Sequence, residues 1–145
     1  MRREKKKERK KKEEKKRKKS SSQHDLVRDA GFKYFMNVFT GDSMKSDERS
    51  MAAYVLSLIC HKNKEGQHNC LKSTDMAKIL SHISDRDPNL RQWICLYLGE
   101  LWYEYPEAKT IAIKSNAHEK LQSLLTDVCA EVSFFLSFFF FFLHF

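Results

Sequence analysis

Pro88-Asn89-Leu90-Arg91-Gln92-Trp93-Ile94-Cys95-Leu96-Tyr97-Leu98-Gly99-Glu100-Leu101-Trp102 is the stretch whose reading decides the fold. Pro88 suits the first turn of a helix, where its missing N–H has no partner to lose. Leu90, Trp93, Ile94, Tyr97, Leu98, Leu101 and Trp102 then recur at i, i+3, i+4, i+7, i+8, i+11 and i+12, one unbroken apolar face at helical spacing. Cys95 and Leu96 widen that face, leaving Arg91, Gln92, Gly99 and Glu100 for water or partners. A helix this apolar has to be covered from more than one side, so it reads as the inner helix of a layered all-α structure.

Working outward, the same pattern recurs. A shift of 42 residues lays Arg49 on Arg91, Ala52 on Ile94, Ala53 on Cys95, Val55 on Tyr97, Leu56 on Leu98 and Ile59 on Leu101. Ser57 falls on Gly99, keeping a small residue where neighbouring helices approach closely. The shift continues forward, with Cys70 on Ala112, Ile79 on Leu121, Ile83 on Leu125 and Asp85 on Asp127. Before Arg49 the register slips by two, so that Phe32, Phe35, Met36 and Phe39 match Met76, Ile79, Leu80 and Ile83, which places a two-residue insertion in the loop 40–47. A short helix followed by two longer ones at this period is the pattern of armadillo and HEAT units. Asp85-Arg86-Asp87-Pro88-Asn89-Leu90-Arg91 has the D-x-x-P-x-(V/L)-R form of their inter-helix turn. The expectation is an all-α, armadillo/HEAT-type α-solenoid fragment of about two and a half repeats with low-complexity tails.

The individual helices follow from periodicity and caps. Asp25 is placed to cap a helix carrying Phe32, Phe35, Met36 and Phe39, and a second helix over 48–61 is expected to bury Met51, Ala52, Val55, Leu56 and Ile59. A brief helix follows around 66–71, then one through Met76, Ile79, Leu80 and Ile83. Pro106 opens a helix with Ala108, Ile111 and Ala112, and Asn116 with Glu119 has the spacing of a capping box ahead of Leu121, Leu124 and Leu125. The boundaries drawn are 1–24 for a disordered basic tail, 25–132 for the repeats and 133–145 for a Phe-rich tail.

Charge is segregated. The 145-residue chain carries a formal +8, yet residues 1–19 hold 14 Lys and Arg against four Glu, and the rest holds 13 against 15 Asp and Glu. The basic character belongs to the tail, so the isoelectric point says nothing about what the repeats bind. Residues 2–19 contain no apolar side chain and read as unfolded or as a solvated, fraying single helix. A nuclear or nucleolar address, or a nucleic-acid-binding arm, is the alternative function that run suggests. The run Phe138–Phe142 lies in an apolar stretch of 14 residues from Val132, short of the roughly 20 a spanning helix needs, so no transmembrane segment is expected. Both terminal tracts are writable in codons of one base class, purine for Lys, Arg and Glu and pyrimidine for Phe, Leu and Ser. They read as low-complexity genomic sequence around a genuine repeat segment.

No chemistry-bearing constellation stands out. Cys60, Cys70, Cys95 and Cys129 sit mostly in apolar helical runs and read as reduced, intracellular thiols. Cys60-His61 and His68-x-Cys70 offer four candidate zinc ligands without the short paired spacing of a structural site. His118-Glu119 lacks a second carboxylate or nucleophile, and the four glycines form no phosphate-cradling loop. No catalytic, cofactor or metal residue is assigned, no cofactor is expected, and the chain reads as no enzyme. Trp93 and Trp102 read as core residues, and Arg49 and Arg91 as a ladder of charge-assisted hydrogen bonds near Asp85 or Asp87.

Leu26-Val27-Arg28-Asp29-Ala30-Gly31-Phe32-Lys33-Tyr34-Phe35, Gly66-Gln67-His68-Asn69-Cys70-Leu71, Asp87-Pro88-Asn89-Leu90-Arg91-Gln92-Trp93, Leu98-Gly99 with Trp102, and Ala117-His118-Glu119-Lys120-Leu121 together resemble the armadillo/HEAT region of the raptor family, the regulatory-associated proteins of the target of rapamycin (TOR) kinase. The resemblance covers about residues 25–132. It implies a non-enzymatic scaffold or adaptor segment of TOR complex 1, with TOR kinase and Rag GTPases as partners and a cytoplasmic place that includes the lysosomal surface. Family members also carry a caspase-like domain, which shares substrate recruitment with the solenoid, and a WD40 propeller. The resemblance extends to neither, so substrate recruitment is not expected of this segment alone. No individual partner-binding residue carries over.

Overall fold

The computed structural model describes residues 2–28 and 31–133, with side chains described for 6–18, 21, 25 and 31–133. Every regular element among them is helical: α1 (Arg2–Arg28), α2 (Gly31–Thr40), α3 (Ser46–Cys60), α4 (Lys64–Ser73), α5 (Met76–Ser81), α6 (Pro88–Trp102), α7 (Pro106–Lys114) and α8 (Ala117–Gln122). Tight 3₁₀ turns extend α5 through His82–Ser84 and α8 through Ser123–Thr126, and a further helical turn begins at 130. No described helix is long and apolar enough to cross a membrane. The Phe-rich run lies outside the described residues.

Local chemistry sets the ends. The Asn63 side chain accepts from the Gly66 N–H to start α4, Asp75 accepts from Lys78 N–H to start α5, and Asp87 accepts from Asn89 N–H ahead of Pro88 in α6. The Lys45 N–H donates to the Glu48 carboxylate at the start of α3. Two expected caps are corrected. Asp25 lies within α1, which runs on to Arg28, so it starts no helix. Asn116 has φ 52° and ψ 32° and makes no side-chain cap bond. It is the residue that ends α7, its N–H donating to the Ile113 carbonyl. Asparagine tolerates this left-handed conformation, and in it the side chain cannot reach forward over α8.

The 42-residue shift is a shift in space as well. Both ends of α3 map onto both ends of α6, and the starts of α4 and α7 coincide in the same way. The turn 61–63 repeats as 103–105 with nearly the same dihedrals: His61 (−57°, 110°) with Tyr103 (−58°, 118°), Lys62 with Glu104 at φ 51° and 48°, and Asn63 (−133°, 98°) with Tyr105 (−131°, 88°). No residue type is shared between the two turns. The backbone hydrogen bonds that close them are the common element: Asn63 N–H to Cys60 O at 3.1 Å and Tyr105 N–H to Trp102 O at 3.2 Å.

α3 and α6 run side by side and in parallel, since Ser50 meets Asp87 at their N-terminal ends and His61 meets Glu100 at their C-terminal ends. Ala52, Ala53 and Ser57 make the buried face of α3 shallow enough for this approach, with Leu56, Ile59 and Cys60 beside them. From α6, Leu90, Ile94, Tyr97, Leu98, Leu101 and Trp102 are all buried. Phe39 of α2 meets Tyr97 edge-on at 5.7 Å, which ties the preceding unit to the central helix. Two expectations about the buried stripe are corrected. Met51 is 61% exposed and Val55 half-buried, the buried stripe of α3 running instead through Ala52, Ala53, Leu56, Ile59 and Cys60. Trp93, the same repeat position as Met51, is likewise half-buried. The basic run, drawn as a disordered tail over 1–24 and read as unfolded or as a solvated single helix, is helical and continues in α1 to Arg28, with residues 6–18 all exposed.

α4 crosses α3 most closely at Gly66. A Cβ there would lie 2.3 Å from the Ile59 carbonyl oxygen. In an open helix Gly→Ala stabilises by roughly 1 kcal/mol; Gly66→Ala is expected to lower the melting temperature instead, followed by circular dichroism at 222 nm.

Candidate functional site: the inter-repeat seam and its aromatic face

One edge of the seam gathers the N-terminal ends of α3 and α6. Arg91 is almost fully buried and forks onto Asp127, Nε to Oδ2 and Nη2 to Oδ1 both at 2.7 Å, while Nη1 donates to the Asp85 carbonyl at 2.8 Å. The guanidinium holds the Asp127 carboxyl below its usual range, through the hydrogen bond first and its charge after. Asp127 also accepts the Cys129 N–H at 2.8 Å, as Asp85 accepts the Asp87 N–H at 2.9 Å, so the turn chemistry repeats at 42 residues. The expected partner of Arg91 is thereby corrected: the carboxylate comes from the following unit, and Asp85 contributes its main-chain oxygen. Asp85 spends its carboxylate on the Ser46 hydroxyl at 3.0 Å. Position 46 becomes Pro88 one unit later, with no hydroxyl to compete for Asp127.

Arg49 shows the variant of this arrangement. Its guanidinium donates to the Phe39 and Met44 carbonyls at 3.0 and 3.1 Å, and Nη1 lies 2.9 Å from Nε2 of His82. Arginine has nothing to accept with, so Nε2 supplies the lone pair and the proton sits on Nδ1. Burial, reinforced by the Arg49 charge, holds the His82 pKa below its ordinary value.

The opposite edge gathers the C-terminal ends. Gln67, buried, donates its side-chain amide to the Glu100 and Tyr103 carbonyls at 2.7 and 2.9 Å, and Lys64 Nζ reaches the Glu104 carbonyl at 2.6 Å. These two side chains of α4 satisfy carbonyls that the end of α6 leaves open, and the ammonium suits the negative end of that helix. His61 Nδ1 meets Glu100 Oε1 at 2.9 Å and His68 meets the Tyr105 hydroxyl at 3.0 Å.

The four residues weighed as zinc ligands are therefore divided. Cys60 and Cys70 are buried against each other, and burial followed by the Cys70 hydrogen bond pushes the Cys60 thiol well up. Their two histidines turn outward to α6 and the following turn. Burial takes the Cys95 thiol up to about 12. All four cysteines are free, and no group of three metal-ligating side chains forms among the described residues. His118 Nε2 stands 4.0 Å from Glu119, on the outer turn of α8.

The α3–α6 pair carries one of several exposed apolar surfaces among the described residues, others holding Tyr34, Tyr103, Ile113 and Val128. Tyr54, 37% exposed, stacks obliquely on Trp93 with ring centroids 4.8 Å apart, and Met51 stands beside them at 61% exposure. Trp102 is fully buried in the core, and Trp93 is half-buried, packed against the core while its ring stacks on Tyr54. The seam residues Ser46, Lys64, Gln67, His82 and Asp127 are not visible to residue-type reasoning. Their signal is a spacing of 33–40 residues between partners, just under one repeat.

A stack of parallel helices at a fixed period, sealed along both edges by side chains from the adjoining unit, defines an armadillo/HEAT-type α-solenoid. No protein-family model matches the chain. Individual proteins do. Over 110 residues, 76% of this chain, it is 45% identical to the "Protein raptor homolog" of Dictyostelium discoideum. Over 116 residues it is 37% identical to a target of rapamycin complex 1 subunit of Schizosaccharomyces pombe, and over 117 residues 37% identical to the "Regulatory-associated protein of TOR 1" of Arabidopsis thaliana. The crystal structure of Chaetomium thermophilum Raptor matches 80% of the chain with a TM-score of 0.75 and 35% identity. The matched segment belongs to the raptor family. It spans only 7–9% of the length of these relatives and 12% of the Chaetomium chain.

Two outcomes follow from the N-terminal edge. Removing one member of the Arg91–Asp127 pair leaves a buried charge unmatched, so Arg91→Ala and Asp127→Ala are each expected to cost roughly 3 kcal/mol, and the double variant less than their sum, read by urea unfolding. The second concerns pH. A histidine with a depressed folded pKa contributes stability in full above its unfolded value, near 6.5, and loses it as pH falls from there through the folded value. Melting temperature is expected to drop as pH falls below about 6.5, and His82→Gln, which keeps an acceptor for Arg49, is expected to flatten that drop.

Proposed function

We propose that this chain is a scaffold or adaptor segment of the raptor kind, non-enzymatic, which offers a helical-repeat surface to protein partners in TOR signalling. The observation that carries this reading is the 37–45% identity, across three quarters of the chain, to proteins named as raptor or as subunits of target of rapamycin complex 1. The TOR kinase is the first partner the reading names. Rag GTPases, and with them a cytoplasmic place that includes the lysosomal surface, are its finer form.

The Tyr54–Trp93 pair with Met51 is the face we assign to contact. Aromatic side chains held rigid by one another lose little freedom on binding, and half-exposed Trp and Tyr are the commonest hot spots of protein interfaces. His61, His82, Glu100, Asp85 and Asp127 are engaged in the seam between units, which fits a part that holds its neighbours in register.

The test is association of the full chain with purified TOR kinase. Association should survive deletion of residues 1–19, which separates this reading from one in which the basic run carries the function. Trp93→Ala is expected to weaken it roughly tenfold or more, and Met51→Glu, at a residue 61% exposed, to weaken it with an unchanged melting profile. Failure to associate, or association that disappears with residues 1–19, overturns the reading.

A further inference from the structure

The scaffold reading makes no use of α1, a 27-residue helix on which every side chain from Lys6 to Lys18 stands in solvent. Those thirteen positions hold ten Lys and Arg and three Glu. The glutamates are placed for helix stability: Glu8, Glu13 and Glu14 each have a basic residue four positions on, in the favourable order, and Glu14 reaches Lys18 at 3.4 Å. Lys, Arg and Glu are also strong helix formers, so a rod with no buried face still holds its shape.

The distribution of the ten cations selects among polyanions. At about 100° per residue, no sector of the cylinder wider than about 60° lacks a Lys or Arg. An anionic bilayer is a plane and would meet only one side of such a rod. Helices adapted to membranes keep an apolar side for the acyl boundary, and this stretch has none. A single strand is recognised by stacking on aromatic rings, absent between Lys6 and Lys18. A B-form duplex has a major groove about 12 Å wide, close to the diameter of a helix, with phosphates along both walls. The A-form groove of duplex RNA is too narrow to enter. Lengths agree as well. Lys6 to Lys18 spans about 18 Å of helix, and a duplex places one phosphate per about 1.7 Å of axis, so about eleven phosphates lie beside ten cations, which three glutamates reduce to a net +7.

We propose that α1 is a duplex-binding arm, a cation-encircled helix that seats in the major groove of B-form DNA and is held by both phosphate walls without reading base sequence. It is independent of the scaffold reading, and either can stand without the other.

The test uses the full chain and three probes of matched concentration: a fluorescent 20-base-pair DNA duplex, one of its strands alone, and vesicles containing phosphatidylserine. The duplex is expected to bind tightest, with affinity falling on the order of a thousand-fold between 50 and 200 mM salt if about six phosphates are neutralised. Replacing Lys10, Lys12 and Lys16 by Gln should reduce the log–log salt slope by about two to three. Lys11→Pro breaks the rod while costing one cation, and Lys11→Gln costs the cation alone. The proline variant should lose the preference for duplex over single strand and the glutamine variant should keep it. Equal or tighter binding of the strand or the vesicles, or a duplex preference untouched by Lys11→Pro, overturns the proposal.

Discussion

An arginine that is almost fully buried has to find a carboxylate, and Arg91 finds one in the next structural unit. That requirement fixes more than one pair. For both Arg91 nitrogens to reach Asp127 at 2.7 Å, the turn after α8 has to sit over the N-terminal end of α6 in one register only. The same turn holds itself by Asp127 accepting from Cys129 N–H, so the residue that receives the guanidinium is also the one that shapes the loop delivering it. A slip of one residue along α6 would strand a charge in the interior.

The rest of the architecture repeats this economy at both edges of the α3–α6 pair. At the N-terminal edge the donors are Ser46, Arg49 and Arg91, and at the C-terminal edge they are Lys64 and Gln67. Between the edges the buried groups are Ala52, Ala53, Leu56, Ser57 and Ile59 of α3 and the large residues of α6. Polar groups therefore decide the register while small and large side chains decide the distance. This division explains how the turns 61–63 and 103–105 keep one backbone geometry without sharing a residue type.

Much of this was legible in the chain. Pro88–Trp102 has the bounds its periodicity marks out, the 42-residue shift carries over to helix ends and dihedrals, and Trp102 is in the core. What misled was hydrophobicity taken alone. Met51 and Trp93 share one repeat position at the margin of the apolar stripe, where Met51 is 61% exposed and Trp93 half-buried against the core. Asn116 does stand at the start of α8, but in the left-handed conformation that also closes α7, from which its side chain makes no cap bond. The Arg91 partner was within reach: Asp127 aligns with Asp85 at 42 residues, and only the habit of pairing charges that are near in sequence favoured Asp85 or Asp87. His82 and Gln67 share no motif with their partners, and the spacing of 33 residues, just under a repeat, is the one mark they leave.

Parallel alignment of α3 and α6 has an electrical side. Helices stacked in the same direction put all their positive ends on one border of the ribbon and all their negative ends on the other, and unlike antiparallel bundles they do not cancel pairwise. Here each border carries its own neutraliser: Asp47, Glu48, Asp85, Asp87 and Asp127 beside the positive ends, and Lys64 beside a negative one. Because the compensation is built into the unit, polarity does not accumulate as units are added. A ribbon of this kind can grow long without becoming one large dipole.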